Sequence, residues 1–417
     1  MKFEILASLI CSLLLTASVC GAQLNVKDMG AVGDGKTDDT AAFQTALDKA
    51  SEEPGSVVFA PIGNYLIKTH LRVPPYVTLK GIFEAPQART RNKGTTLLAV
   101  EGAGNPDGKP FVTLCNESTL KGITIYYPDQ KGDQDKPTPY PWTIGNERGD
   151  NQAVIDCLVV NPYQCLKFDF AGRHYIKGLY GQPLYKGIFI DNCYDVGRIE
   201  NVHFWPFFFG FNAPESQNLK NWMLENATAF IFGRTDWQYV TNTFVFGYNT
   251  GYRFVAGANN GCNGNFLGIA ADYCNRCVVV DKLQIYGILI TNGEFVALPG
   301  DDSEEVYIGP DADGVINFNN CAFWGHSNRI ATIHNGQVTF NSCNLMHWDK
   351  HKKNEAAIDA SGGRLTVNGC FFNSPGKAVR VGQGVETAVI MGNQGKEGFE
   401  IDNQIGDKCQ MGLNVSP

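Results

Sequence analysis

Charge is scarce in this chain. Asp, Glu, Lys and Arg make up 18% of its 417 residues, too few for a coiled coil or a helical repeat. No run of basic residues occurs, and the formal charge is −8 with a pI of about 5.4. Nucleic-acid binding depends on phosphate neutralisation by Lys and Arg, so nucleic acid is not an expected partner. No stretch beyond the N-terminus is continuously apolar for the ~18 residues a membrane span needs. The cysteines lack a disulfide framework. Of the 13 in the chain, Cys11 and Cys20 lie in the N-terminal leader, and the odd remainder is evenly scattered. Cys274 and Cys277 form a C-x-x-C with no second pair or His at metal spacing. Buried thiols acting as small hydrophobes are expected, with one or two disulfides as the alternative. No constellation suits a metal or other cofactor, apart from Asp301-Asp302 and Glu304-Glu305, an acidic loop with calcium-type ligands. His174, His326, His334 and His347 are dispersed and read as ordinary surface or loop histidines.

What is present starts with an export signal over residues 1–22. Lys2 gives a basic start, Ile5 to Leu15 is apolar, and Cys20 and Ala22 are the small pair before cleavage. A secreted or periplasmic location follows. Lipid attachment at Cys20 is the alternative, and Val19 fits a lipoprotein signal poorly. The remaining chain, 23–417, is long for one globular core. A repeat architecture escapes that limit, because each unit buries its apolar face on its neighbours. Its 46 glycines and short Asn clusters suit this.

Residues 26–67 carry the clearest pattern. Val26 begins a short strand, and Asp34-Gly35 is a turn pair. Thr37, Asp38 or Asp39 can cap a helix with an apolar stripe at Ala42, Phe43, Ala46, Leu47 and Ala50. Pro54-Gly55 stops it. Val57–Phe59 and Tyr65–Ile67 then read as strands around a turn at Pro61–Asn64. With Asp28, Gly30, Ala31, Gly33, Thr40, Val57, Pro61, Gly63 and Tyr65, this segment resembles the N-terminal part of the pectate-lyase-like superfamily. The resemblance implies an all-β fold, a single-stranded right-handed parallel β-helix. It also implies that the helix caps one end within an N-terminal unit of about 23–70, since an open end exposes strand edges.

Further along, short strands alternate with Gly/Asn turns, at Leu120–Tyr127, Ala153–Val160, Gly187–Asp191, Gly197–Phe204 and Cys277–Val280. A phrase recurs around Cys321, Cys343 and Cys370, at spacings of 22 and 27 residues. That period suits one coil of a β-helix, and Asn tolerates left-handed backbone at the bends. Segments 128–149 and 298–314 read as loop insertions, and the tail after Glu400 lacks the pattern.

Candidate chemistry concentrates between Asp169 and Tyr239. In one cluster, strand alternation places Arg198, Glu200 and Val202 on one face and Ile199, Asn201 and His203 on the other. Asp191 and Asp195 stand just before. In the next, Glu225 precedes an apolar strand and then Arg234, Asp236, Trp237 and Tyr239. Arg can grip a uronate or sulfate through paired N–H bonds, and Trp and Tyr can stack on sugar rings. The run Phe204–Phe211 is mostly core, with Trp205 expected at the surface. Between Val160 and Thr235 there are seven basic and six acidic residues, so an anionic glycan is tolerated there.

With the export signal and what the resemblance implies, these residues point to a polysaccharide substrate cleaved at its glycosidic bonds by a hydrolase. Asp236, Glu225, Asp195 and Glu200 are the candidate acid and base. Arg234, Trp237, Tyr239, Trp205, His203 and Arg198 are the candidate substrate contacts. The Asn-x-Asp, Asp-Asp, Gly-His-Gly, Arg-x-Lys set of polygalacturonases is missing, so no mechanism carries over from that resemblance. A lyase acting on a uronate-containing glycan and a non-catalytic glycan-binding β-helix are the alternatives. Either a monomer or a homotrimer is compatible with the sequence.

Overall fold

Parallel strands stacked in register form the whole body of the molecule. The computed structural model describes residues 21–84, 93–206 and 214–417. All but the last two residues of the expected leader, and most of the aromatic run after Phe204, fall outside the described residues. Each coil lays one strand on each of three faces, giving a right-handed parallel β-helix. The first face is a 13-stranded sheet running from Leu71–Val73 to Glu400–Asn403. The second and third faces share a 25-stranded sheet. Long strands such as Thr235–Phe246 and Cys262–Cys274 join them around a bend. In later coils the same bend splits the strand, as between Gln337–Asn341 and Asn344–Leu345.

The bend has a simple chemical origin. Gly122, Asp156, Gly178, Asn201, Asn242, Gly268, Asn292, Asn320, Ser342, Gly369 and Gly392 have φ between 52° and 66°. Register places them in one column down the molecule. Left-handed backbone costs most residues about 1–2 kcal/mol each, and Gly, Asn and Asp the least. Beside the bend an Asn ladder forms: Asn341 donates to Asn319 (2.7 Å) and Asn368 to Asn341 (2.9 Å).

The recurring cysteine phrase marks successive coils. Ala322 pairs with Asn344 and Asn344 with Phe371, so Cys321, Cys343 and Cys370 lie one behind the other. All the described cysteines are buried and free. The interior is one continuous apolar cluster, with aromatic rings stacked between coils, such as Phe230 on Tyr252 (4.9 Å) and Phe318 on Phe340 (5.0 Å). The helix Thr40–Ala50 buries Phe43, Ala46, Leu47 and Ala50 against the first coils. Asp38 starts it, accepting from the Thr40 amide (3.1 Å) and hydroxyl (2.6 Å).

Several sequence expectations need correction. The window 298–314 is not all loop, because Glu304–Ile308 is a strand of the first face. Trp142–Asn146 is likewise a strand inside the Pro-rich window. The tail continues the pattern with Glu400–Asn403 and Cys409–Gly412. Strands this short are masked by the polar turns around them. The expected face of Val202 is also wrong. The left-handed Asn201 breaks the alternation, so the chain splits into Arg198–Glu200 and His203–Phe204 on different faces, and Val202 points inward. His174 is wholly buried rather than at the surface. Its Nδ1 meets the Ala171 carbonyl (2.9 Å), and burial pushes its pKa down to about 4.

Candidate functional site

The strand Thr235–Phe246 opens at a cleft of about 540 Å³. Asp236 lies in it beside Tyr194, Arg234, Trp237, Gln284 and Tyr286. The Asp236 carboxylate accepts from Arg234 (3.0 Å) and from Gln284 (2.7 Å). Gln284 also donates to the Thr235 and Gly261 carbonyls (2.9 and 3.0 Å) and accepts from Asn263 (2.9 Å). Asn263 in turn accepts from the Trp237 amide (2.8 Å). Residues from three neighbouring coils therefore hold one carboxylate in place. Arg234 spans the cleft edge, with its guanidinium over the Tyr194 ring (5.6 Å).

Trp237 has φ +55° and is 60% exposed. A bulky residue in left-handed backbone is strained, and here the strain turns an indole into solvent at the cleft mouth. Tyr286 is 73% exposed on the far side. Both offer flat apolar surface with a polar handle, the form that stacks on a sugar ring.

The remaining sequence candidates divide among three places. Asp195 lies one coil before Asp236: Cys193 is bridged to Thr235, and Asp236 donates its amide to the Cys193 carbonyl (2.8 Å). Asp195 lines a second hollow of about 340 Å³, which shares Tyr194 with the first. Its carboxylate pairs with Arg173 (2.5 Å). Arg198, Glu200 and Tyr239 stand on the second face. Arg198 is in register with Tyr239, and Glu200 accepts from the Tyr175 hydroxyl (2.9 Å) with Lys177 at 4.0 Å. His203 and Trp205 lie around the bend on the third face. Trp205 is half-buried against Phe246 (4.4 Å), and His203 packs on Phe244 (5.0 Å), where burial lowers its pKa. Glu225 is exposed near the end of the helix Gln217–Asn226, not on a strand. It does not line the cleft.

Sequence reading missed Asn263, Gln284 and Tyr286. They lie in later coils, in stretches with no local motif, and only the coil period connects them with Asp236. The four acids suggested for calcium do not gather. Glu304 is held by Arg276 (2.8 Å) and Thr332 (2.6 Å), Glu305 is fully buried, and Asp301 and Asp302 stay on an exposed turn. Among the described residues no three His, Cys, Asp or Glu side chains cluster as metal ligands. No helix is long and apolar enough to cross a membrane among the described residues.

Fold and site together define a right-handed parallel β-helix with a polar, aromatic-edged cleft on its flank. Residues 23–113 match the family model described as rhamnogalacturonase A/epimerase, pectate lyase-like. Alginate lyase 7 of Azotobacter vinelandii is 53% identical over 45 residues, which cover 11% of this chain and 5% of that protein. A probable glucan endo-1,3-β-glucosidase of Arthroderma benhamiae is 47% identical over 58 residues, 14% of this chain and 6% of that protein. The chain thus matches only about a twentieth of the length of these curated relatives. Gene product 12 of bacteriophage phi29 has the same fold at a TM-score of 0.63 and 14% identity, over 100% of this chain and 58% of that one.

Proposed function

We propose that the protein is an extracellular carbohydrate-active enzyme that cleaves glycosidic bonds of a polysaccharide at Asp236, by hydrolysis. The observation that carries this reading is the Asp236 carboxylate, fixed by Arg234 and Gln284 inside a cleft edged by Trp237 and Tyr286. A residue needed only for folding would not require three coils to aim it at an open cleft. Hydrolysis uses two carboxyl groups, one giving a proton to the leaving oxygen and the other activating or replacing water. Asp195, on the adjacent coil, is the candidate partner. The short stretches of identity to a lyase and to a glucosidase support carbohydrate as the substrate class.

A second reading, elimination, is favoured by one observation: among the described residues, Asp236 is the only carboxylate lining the first cleft. Arg234 would then neutralise a uronate, and a tyrosine hydroxyl from Tyr194 or Tyr286 would stand near the proton to be removed. The products separate the two readings, because eliminated uronides absorb in the ultraviolet and hydrolysed ones do not. On the hydrolytic reading Asp236→Asn keeps the fold and loses about a hundredfold or more in turnover, the usual scale for an acid–base group. Full turnover by this variant on a substrate of the wild type would remove Asp236 from the mechanism.

A further inference from the structure

The second hollow continues the first toward the N-terminal coils, and its chemistry differs. Four consecutive strands of the first face are each followed, one to three residues past their ends, by Arg148, Phe170, Tyr194 and Arg234 in turn. These side chains form a column. The Arg148 guanidinium lies over the Phe170 ring (4.5 Å), Phe170 neighbours Tyr194 (6.2 Å), and Arg234 lies over Tyr194 (5.6 Å). From Arg148 to Arg234 is three coil steps, about 14 Å at ~4.8 Å per coil.

The cations in and beside this column are not equivalent. Arg234 is committed to Asp236 (3.0 Å), and Arg173 to Asp150 (2.6 Å) and Asp195 (2.5 Å). Glu147, the acid next to Arg148 in sequence, is held by Arg72 (2.7 Å). Arg148 therefore has no carboxylate partner among the described residues, and it is exposed at the rim of the hollow of about 340 Å³. Phe170 and Tyr194 give that hollow a flat aromatic wall, and a guanidinium held over a ring has its two outer N–H bonds free to fork onto an oxyanion.

We propose that this hollow is a subsite for one anionic sugar unit. Arg148 binds its carboxylate or sulfate while the glycan runs along the helix axis from Arg148 to Asp236. The inference deepens the reading of the Asp236 cleft as a polysaccharide site and rests on it. It adds a specificity rule. One charged group is read, about three coils from the scissile position. The other cations are already neutralised, so the intervening units need not be charged.

The test is affinity electrophoresis of the full chain in gels containing polygalacturonate, alginate, dextran sulfate or neutral dextran. The wild type is retarded by at least one of the three anionic polymers more strongly than by dextran, and added salt weakens the retardation. Arg148→Ala loses about tenfold of that affinity, the scale of one charge-assisted hydrogen-bonded contact. Arg148→Lys, which keeps the charge and loses the fork, falls between the two. Arg148 is exposed, and an unchanged thermal midpoint shows that the variant is folded. Asp236→Asn loses turnover but does not weaken the retardation, since it also frees the Arg234 guanidinium, so binding and cleavage are read separately. Retention that depends on Arg148, in a protein that cleaves nothing, would end the enzymatic reading and leave the anionic subsite standing. No preference for any anionic polymer over dextran, or equal retention by wild type and Arg148→Ala, overturns the subsite.

Discussion

Burial pushes the Glu305 carboxyl up to about 8, with Ser327 offsetting only part of the effect. The unfolded chain holds the same group at its ordinary 4.5, so between these pH values the folded state binds more protons. Stability is therefore full below about 4.5, falls as pH rises toward 8, and levels off above. Glu305→Gln removes this slope and stabilises the protein near pH 8 by something on the order of a few kcal/mol. Thermal midpoints of both proteins across that range check it, and parallel curves would refute it. His174 works in the opposite sense. Its pKa drops from 6.5 to about 4 on burial, so the unfolded state binds the extra proton, and stability is lost as pH falls through that interval. Neither residue was legible in the sequence. Glu305 sat in an acidic window that read as a loop, and His174 had no neighbour in sequence that betrayed its surroundings. Arg234 and Asp236 were legible because they lie two residues apart. Gln284, which completes their network, arrives from two coils later with no motif to mark it.

At the scale of the elements, the left-handed column governs which side chains reach which face. Asn201 ends one strand and turns the chain, and with Val202 it separates Glu200 on the second face from His203 on the third. Asn201→Val should cost about 1–2 kcal/mol, the price of left-handed backbone for a residue with a bulky Cβ, whereas Asn201→Gly should be nearly neutral. Denaturant midpoints of the two variants measure the difference. Equal losses would mean that the Asn side chain, not the backbone angle, is what matters. The repeat itself was readable from sequence, because Cys321, Cys343 and Cys370 stand at matching places in their coils. The face assignment was not, because period-two alternation holds only within a strand and says nothing about a single left-handed residue interrupting it. Short strands such as Glu304–Ile308 escaped for a related reason: a few in-facing residues carry the signal, here Val306 and Ile308.

For the molecule as a whole, each coil touches mainly the coils before and after it, so stability is close to a sum of neighbour terms. Among the described residues, the strand Cys409–Gly412 is paired on one side only, by Val385–Met391. Its amides should exchange with solvent well before those of Thr235–Phe246, which is flanked on both sides. Hydrogen exchange read by mass spectrometry tests this, and uniform protection along the axis would show a fully cooperative body instead. The same stacking has a consequence for how such a protein can change. A coil is a self-contained increment, matched to its neighbours by backbone pairing rather than by particular side chains. Splicing one extra coil between Arg148 and Arg234 would carry the two arginines apart by a single strand width and leave both local surroundings intact. Reach along the axis can thus be altered in discrete steps while the reacting end stays as it was.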